Sequence, residues 1–181
     1  CGHFNFGRPI TVGSKIIYPP LNSGVVIVYD TETNTFVAHD VPDTTASIWS
    51  TYVPELNEVV FFPYGNKTTN LLVLNLTTNE HKFVAAPVAS TFYKAFTVDG
   101  KAFGVPLSMG SVDELYFWAY DGTSVEAIAY TPADTVTNSG MMGFKYGEQS
   151  GDSFYTHTIW EKGHALVKFN FADNTVESME T

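Results

Sequence analysis

Apolar residues in this chain come in short runs, and three of these runs end in a proline at a constant spacing. The runs are Lys15–Pro20, Glu58–Pro63 and Lys101–Pro106, so their closing prolines recur every 43 residues without a gap. A short, mainly apolar run that stops at a proline is typical of a strand whose pairing ends there. The fixed period indicates tandem repeats, each folding as one supersecondary unit.

A second apolar run follows each proline, and a polar turn and a shorter strand follow that run. These runs and strands are Val25–Asp30 with Thr35–His39, Leu71–Asn75 with Glu80–Val84, and Leu115–Tyr120 with Val125–Ala129. Asp, Asn and Thr in the turns between them can bond to the backbone that follows and reverse the chain. With the segment that precedes each first run, every unit holds four short strands.

A fourth and longer unit occupies the C-terminal part of the chain. Its predicted strands are Met141–Tyr146, Phe154–Trp160, Ala165–Phe171 and Thr175–Met179. The stretch 169–176 matches the pattern of 29–36, which predicts the same turn in both units. Gly147–Ser153 is predicted to be an inserted glycine-rich loop. Terminal units of repeat arrays are commonly irregular in this way.

Four strands per unit predict an all-β fold, a β-propeller of four blades with four antiparallel strands each. The blades are expected at residues 4–42, 46–87, 89–132 and 136–181, which makes residues 1–181 a single domain. A β-sandwich also spaces its strands by about 8–12 residues, but it gives no reason for a fixed period of 43 residues.

The first unit resembles the YVTN-type propeller repeat of surface-layer and other cell-surface proteins. The likeness lies in the turn Asn22-Ser23-Gly24 and in the segment 26–35, which runs Val-x-Val-Tyr-Asp-Thr-x-Thr-Asn-Thr. The second unit keeps much of it in 70–79, and the later units keep the hydrophobic pattern without the signature tetrapeptide. The resemblance implies a propeller fold and an extracellular setting, and it implies no active site.

The sequence leaves open how such a ring would close. Cys1 is the only cysteine, so no intramolecular disulfide can join the first blade to the last, and no CxxC zinc site exists. Residues 4–12 are needed as the first strand of the first unit. Three arrangements are open. The ring could close by side-chain packing alone, the four units could be part of a larger structure, or the outer edges could pair between subunits. Cys1 itself is compatible with a lipid-bearing lipoprotein and, more simply, with a processed or fragmentary chain.

Charge narrows the choice of partners. The chain carries 19 acidic and 9 basic residues, a formal net charge of −10, with Lys and Arg scattered singly. Such a chain repels phosphate backbones, so we predict no nucleic-acid partner. Apolar residues make up 44% of the chain, yet no window of about 18 residues is apolar enough to predict a membrane span.

No pattern in the chain predicts a catalytic residue, a cofactor or a metal. The chain has five histidines, His3, His39, His81, His157 and His164. His39 and His81 fall on outer strands and are predicted to be exposed. His157 is predicted to face the core or the channel. Asp30–Asn34 superficially suggests a calcium loop, but the glycine and distal glutamate of such a loop are missing, so an Asx turn is predicted. Nucleophile-elbow and phosphate-loop motifs are absent.

Two sequons predict N-glycosylation if the protein is secreted by a eukaryote or its virus. Asn66 falls in an exposed loop, whereas Asn75 stands at a strand-to-turn corner and could instead be the turn residue equivalent to Asp30. Among the aromatics, the register predicts inter-blade packing for Phe6, Trp49 and Phe92. The aromatics less bound by register, which could stack on sugars, are Tyr64, Tyr93, Trp118 and Trp160.

These features favour a non-enzymatic structural or assembly protein, secreted or displayed on the surface of a cell or particle. Its expected partners are copies of itself or other surface proteins. A carbohydrate-binding, lectin-like propeller is the first alternative, and glycans would then be its ligands. An enzyme with a site at the central channel is the less favoured alternative.

Overall fold

The structure is a computed structural model that describes residues 6–42, 46–65, 68–109, 115–130, 141–158 and 166–179. Within these residues it contains sixteen β-strands and no helix, which confirms the predicted all-β class. In that part of the chain there is accordingly no helix long and apolar enough to cross a membrane.

The first two sheets are meanders of four antiparallel strands in chain order. The first sheet contains β1 (Ile10–Val12), β2 (Lys15–Tyr18), β3 (Val25–Asp30) and β4 (Thr35–Asp40). The second sheet contains β5 (Ser47–Val53), β6 (Glu58–Pro63), β7 (Thr68–Asn75) and β8 (Glu80–Ser90). An up-and-down sheet of four strands is the unit from which a propeller blade is made.

The third and fourth sheets follow the same order but are joined to each other. The third contains β9 (Phe92–Val98), β10 (Lys101–Met109), β11 (Leu115–Tyr120) and β12 (Val125–Tyr130). The fourth contains β13 (Met141–Ser150), β14 (Ser153–Thr158), β15 (Leu166–Asn170) and β16 (Thr175–Met179). The end of β10 pairs with the start of β13, which makes one eight-stranded sheet. The prediction of four units with four antiparallel strands each is confirmed, with this joint as a departure.

Three hydrophobic clusters hold the sheets together, one between each pair of consecutive sheets. Their members include Ile17 and Phe61 between the first and second sheets, Phe62 and Trp118 between the second and third, and Phe103 and Phe169 between the third and fourth. Strand β6 contributes to two of these clusters, and all six of its residues are buried. This burial on both faces explains why the central runs are apolar without alternation.

The polar turns repeat one hydrogen-bond pattern in three of the sheets. A side-chain oxygen accepts from the N–H two residues later at 2.9 Å in Asp30, Asn75 and Asp121. The Asx-turn interpretation of the segment after Asp30 is therefore confirmed. The backbone N–H groups of Ser124 and Thr123 lower the pKa of the Asp121 carboxyl to about 2 because they stabilise its charged form.

The predicted loop at Gly147–Ser153 is wrong. Strand β13 continues through Gly147 to Ser150, and only Gly151 and Asp152 form the turn. A Cβ atom at Gly147 would lie 2.1 Å from the ring of Phe154. Glycine at this position therefore lets an aromatic ring pack against the strand backbone, which is a common use of glycine inside a strand.

Candidate interaction surface

The two faces of the first sheet differ in how far they are covered. On the face toward the second sheet, Ile17, Val26 and Val28 are 0%, 1% and 4% exposed. Because side chains alternate between faces along a strand, the neighbouring Ile16 and Ile27 point to the opposite face, where they are only half-buried. Both faces of this sheet are apolar, but within the described residues only one of them packs against another sheet.

We call the opposite side the first-sheet outer face. Strand pairing places its apolar side chains next to one another: Ile16, Tyr18, Val25, Ile27, Tyr29, Phe36 and Ala38. Phe36, opposite Tyr29, is 71% exposed, more than any other large hydrophobic side chain in the described chain. The charged residue at the margin is Asp40, opposite Val25. Contiguous apolar patches are uncommon on the surface of monomeric proteins, so this face is a candidate interaction surface.

The outer face of the fourth sheet, at the other end of the stack, is mainly polar in the side chains that the structure describes. Lys168 lies across the strands from Tyr155 and Glu177, and its Nζ is 4.0 Å from a carboxylate oxygen of Glu177. The Asn170 amide donates to Thr175 at 3.0 Å and to Glu177 at 3.3 Å. Among the described residues, no hydrophobic cluster connects this face with the first sheet. A polar face of this kind can stay in contact with water at little cost.

A charged cluster links the second and third sheets through Glu58, Lys82 and Tyr120. The Tyr120 hydroxyl donates to Oε2 of Glu58 at 2.8 Å, and Lys82 Nζ lies 3.2 Å from Oε1. Burial, and then the hydrogen bond to Glu58, raises the pKa of Tyr120 well above its usual range. Since both carboxylate oxygens have partners, the cluster fixes two sheets to each other rather than presenting an acid or base to a substrate.

The prediction of an exposed His39 is wrong. Its side chain is only 9% exposed, because the outer strands of the first and second sheets bring the His39 and His81 rings to 6.1 Å between centroids. Nε2 of His39 is buried without a hydrogen-bond partner. Burial, followed by the neighbouring His81, lowers the pKa of His39. His3 and His164, and the side chain of His157, lie outside what the structure describes.

We expect His39 to make the protein less stable in mild acid. The pKa of His39 in the folded chain is lowered from 6.5. As the pH falls below that value, the unfolded chain therefore binds the proton more readily than the folded chain does. The free energy of unfolding should then decrease from about pH 6.5 downward until His39 is protonated in the folded state as well. Urea unfolding between pH 8 and 5 should show a smaller acid loss for His39→Leu than for the wild type. Parallel pH curves for the two proteins would contradict this assignment.

Neither predicted glycosylation site is tested by the structure. Asn66 lies outside the described residues. The Oδ1 atom of Asn75 accepts from the N–H groups of Thr77 and Thr78 at 2.9 and 3.0 Å, so Asn75 does serve as the turn residue equivalent to Asp30. Glycosylation of both asparagines stays a prediction.

The structure confirms only part of the sequence prediction about which aromatic residues pack between sheets and which are available to stack on sugars. Phe92 is fully buried against Phe62 and Trp118, as its register predicts, with ring centroids 5.2 and 4.7 Å away. Trp118, a candidate for stacking on sugars, is also fully buried and cannot do so. Trp49 on inner strand β5 also packs against the next sheet as its register predicts, with the Tyr93 ring of β9 at 5.6 Å. It is half-buried, and the Arg8 guanidinium lies 4.5 Å from its ring centroid.

A cavity beside the second sheet, near the segment that leads into it from the first sheet, is too small for a typical ligand. It measures about 90 Å³ and is lined by residues that include Phe61, Asn70 and Phe83. Small-molecule sites usually measure roughly 300–1,000 Å³. Within the described ranges, no three His, Cys, Asp or Glu side chains come together as a potential metal site. The strongest candidate for function is therefore the first-sheet outer face.

The stack of four-stranded meanders defines a β-propeller protein, and solved structures share the arrangement. The β-propeller domain of Cps50 (Swd1) from Myceliophteria thermophila is 12% identical with a TM-score of 0.57, over 98% of this chain and 60% of that chain. U3-55K is 9% identical with a TM-score of 0.62, over 98% and 53%. The extracellular domain of a putative one component system from B. thetaiotaomicron is 11% identical with a TM-score of 0.62, over 97% and 22%.

At these identities the likeness shows the fold alone. This chain spans between 22% and 60% of the length of the three solved chains, so each of them continues well beyond the matched part. No family model and no curated protein matches the sequence.

Proposed function

We propose that this protein is a non-catalytic assembly module that binds other proteins through the surfaces of its sheets. The observation that carries the proposal is the first-sheet outer face, where Phe36 is 71% exposed among apolar neighbours. Leaving such a face in water is unfavourable, and covering it with a protein partner removes apolar area from water. The small cavity and the occupied Glu58 carboxylate support a binding role over catalysis.

We place this module outside the cell or on the surface of a cell or particle. The YVTN-like segment 22–35, the two sequons and the net charge of −10 support that location. An extracellular domain also occurs among the proteins with a similar fold. In this setting the partners would be further copies or other surface proteins, joined into a surface layer, a filament or a virus particle.

The proposal is tested on native material by chemical cross-linking and particle imaging. We expect the protein in assemblies larger than its 19.9 kDa chain, with cross-linked peptides from strands β2 to β4. The cross-linker is a photoactivated reagent that inserts into C–H bonds, because the first-sheet outer face carries no lysine among its described residues. Fourth-sheet peptides from β15 and β16 provide the internal control, because their face is not proposed to bind a partner. Discrete free monomers in the native material would contradict an assembly role.

Carbohydrate binding is a second candidate, favoured by the half-buried Trp49 and Tyr93 on the inner strands. Aromatic rings with a polar or cationic neighbour such as Arg8 can stack on sugar rings and bond to their hydroxyl groups. A glycan array separates the two candidates, since Trp49→Ala should abolish binding if the sugar stacks there. The Trp49→Ala change should leave assembly through the first sheet intact.

A further inference from the structure

We propose that the first-sheet outer face binds the same face of a second copy of this chain, forming a two-fold symmetric pair. This inference rests on the proposed function and names the partner. Seven apolar side chains, three of them aromatic, lie on that face. Aromatic residues at the centre of an apolar patch are the usual anchors of protein interfaces.

The described side chains of the fourth sheet do not supply a matching surface, either within one chain or in a head-to-tail array. Covering its outer face would bury Lys168 and Glu177, which are 27% and 57% exposed, together with the polar group of Asn170. Removing charges from water costs more than a weak ion pair returns. Among the side chains that the structure describes on these two outer faces, the first sheet presents the apolar set and the fourth sheet the mainly polar one, so the first-sheet outer face matches its own copy best.

Charge also permits this pairing in spite of the net charge of −10. Among the described residues of this face the only charge is that of Asp40, at the margin. Two copies can therefore approach without placing like charges opposite each other at the centre. Two sheets packed face to face stand about 10 Å apart with interdigitating side chains. The hydrophobic clusters between consecutive sheets of this chain are formed in the same way, by apolar side chains from two facing sheets.

The size of the face sets the expected strength of the pair. The three strands that carry the apolar side chains, β2 to β4, have four, six and six residues. They cover an area of roughly 20 by 15 Å, which fits a weak, transient interface rather than a stable one. We therefore expect a dimer that dissociates on dilution in the micromolar range, rather than an obligate dimer.

Sedimentation velocity of the purified chain over a wide concentration range tests the proposal. We expect dimer at about 100 μM and monomer below about 1 μM, in line with a small interface. Ile27→Asp, at the centre of the face, should raise the dissociation constant at least about 100-fold. Tyr155→Asp, on the polar face of the fourth sheet, is the matched control and should leave the dissociation constant of the dimer unchanged. Circular dichroism and thermal unfolding of dilute samples check that both variants fold.

A second variant keeps the test valid if Ile27→Asp fails to fold. Phe36→Lys changes a side chain that is already exposed, and it should weaken the dimer by a similar factor. Wild-type chain that is monomeric at every concentration overturns the inference, as does a dimer that both variants leave intact. If the chain is monomeric while native cross-links join strands β2 to β4 to a different protein, self-pairing is wrong and the assembly role stands. If native cross-links are also missing, both proposals fail.

Discussion

Trp118→Ala should lower the free energy of unfolding by about 3–5 kcal/mol, the usual cost of deleting a fully buried aromatic ring. Trp118 is 0% exposed in the cluster between the second and third sheets, with its ring 4.7 Å from that of Phe92. Removing the indole leaves a cavity at the contact that joins the two halves of the stack. Urea unfolding followed by tryptophan fluorescence and circular dichroism measures the loss.

The matched control is Phe36→Ala in dilute solution, where the chain should be a single copy. Because Phe36 is 71% exposed, its removal should change the free energy of unfolding by less than about 0.5 kcal/mol. Similar losses for the two variants would contradict the assignment of Trp118 to the core and Phe36 to a free surface.

Glu58→Gln should cost about 2–3 kcal/mol, in the range of hydrogen bonds made to a charged group. The Glu58 side chain is 7% exposed and accepts from Tyr120 while it pairs with Lys82. A glutamine has the same shape, but its amide NH2 group would replace one of the two oxygens. That group would then face either the Tyr120 hydroxyl or the Lys82 ammonium, which now act as donors to Glu58. The free energy of unfolding of this variant, determined by chemical denaturation, gives the effect.

Glu177→Gln provides the comparison for that effect. Glu177 forms a similar ion pair with Lys168, but it is 57% exposed and the charged atoms are 4.0 Å apart. Exposed pairs contribute roughly 0–1 kcal/mol because water screens them. If Glu58→Gln costs no more than Glu177→Gln, the buried cluster does not hold the second and third sheets together.

Local patterns were sufficient for much of the fold. The predicted strands Val25–Asp30, Glu58–Pro63 and Leu115–Tyr120 have the bounds that the structure shows. Each is an apolar run that ends in, or is followed directly by, a residue that turns or stops a strand, so its limits depend on neighbouring residues alone. The turns at Asp30 and Asn75 were predictable for the same reason.

Features that depend on contacts between sheets were predicted less well. Gly147 looked like part of a loop, because the Phe154 ring that packs against it belongs to another strand. His39 lies on an outer strand as predicted, yet the strand of the next sheet that carries His81 covers it. The pairs Ile16 with Ile17 and Ile27 with Val28 are equally apolar in sequence, so sequence could not say which face of the first sheet is uncovered.

The most direct test of the central claim is hydroxyl-radical footprinting of the chain at a concentration where it is a single copy. The claim is that the first-sheet outer face is uncovered within one chain and free to bind a partner. We expect Phe36 to be oxidised much faster than the buried Phe103 and Phe169, which are 1% and 0% exposed. Protection of Phe36 equal to that of these core residues would mean that the chain covers the face itself, which would contradict the account.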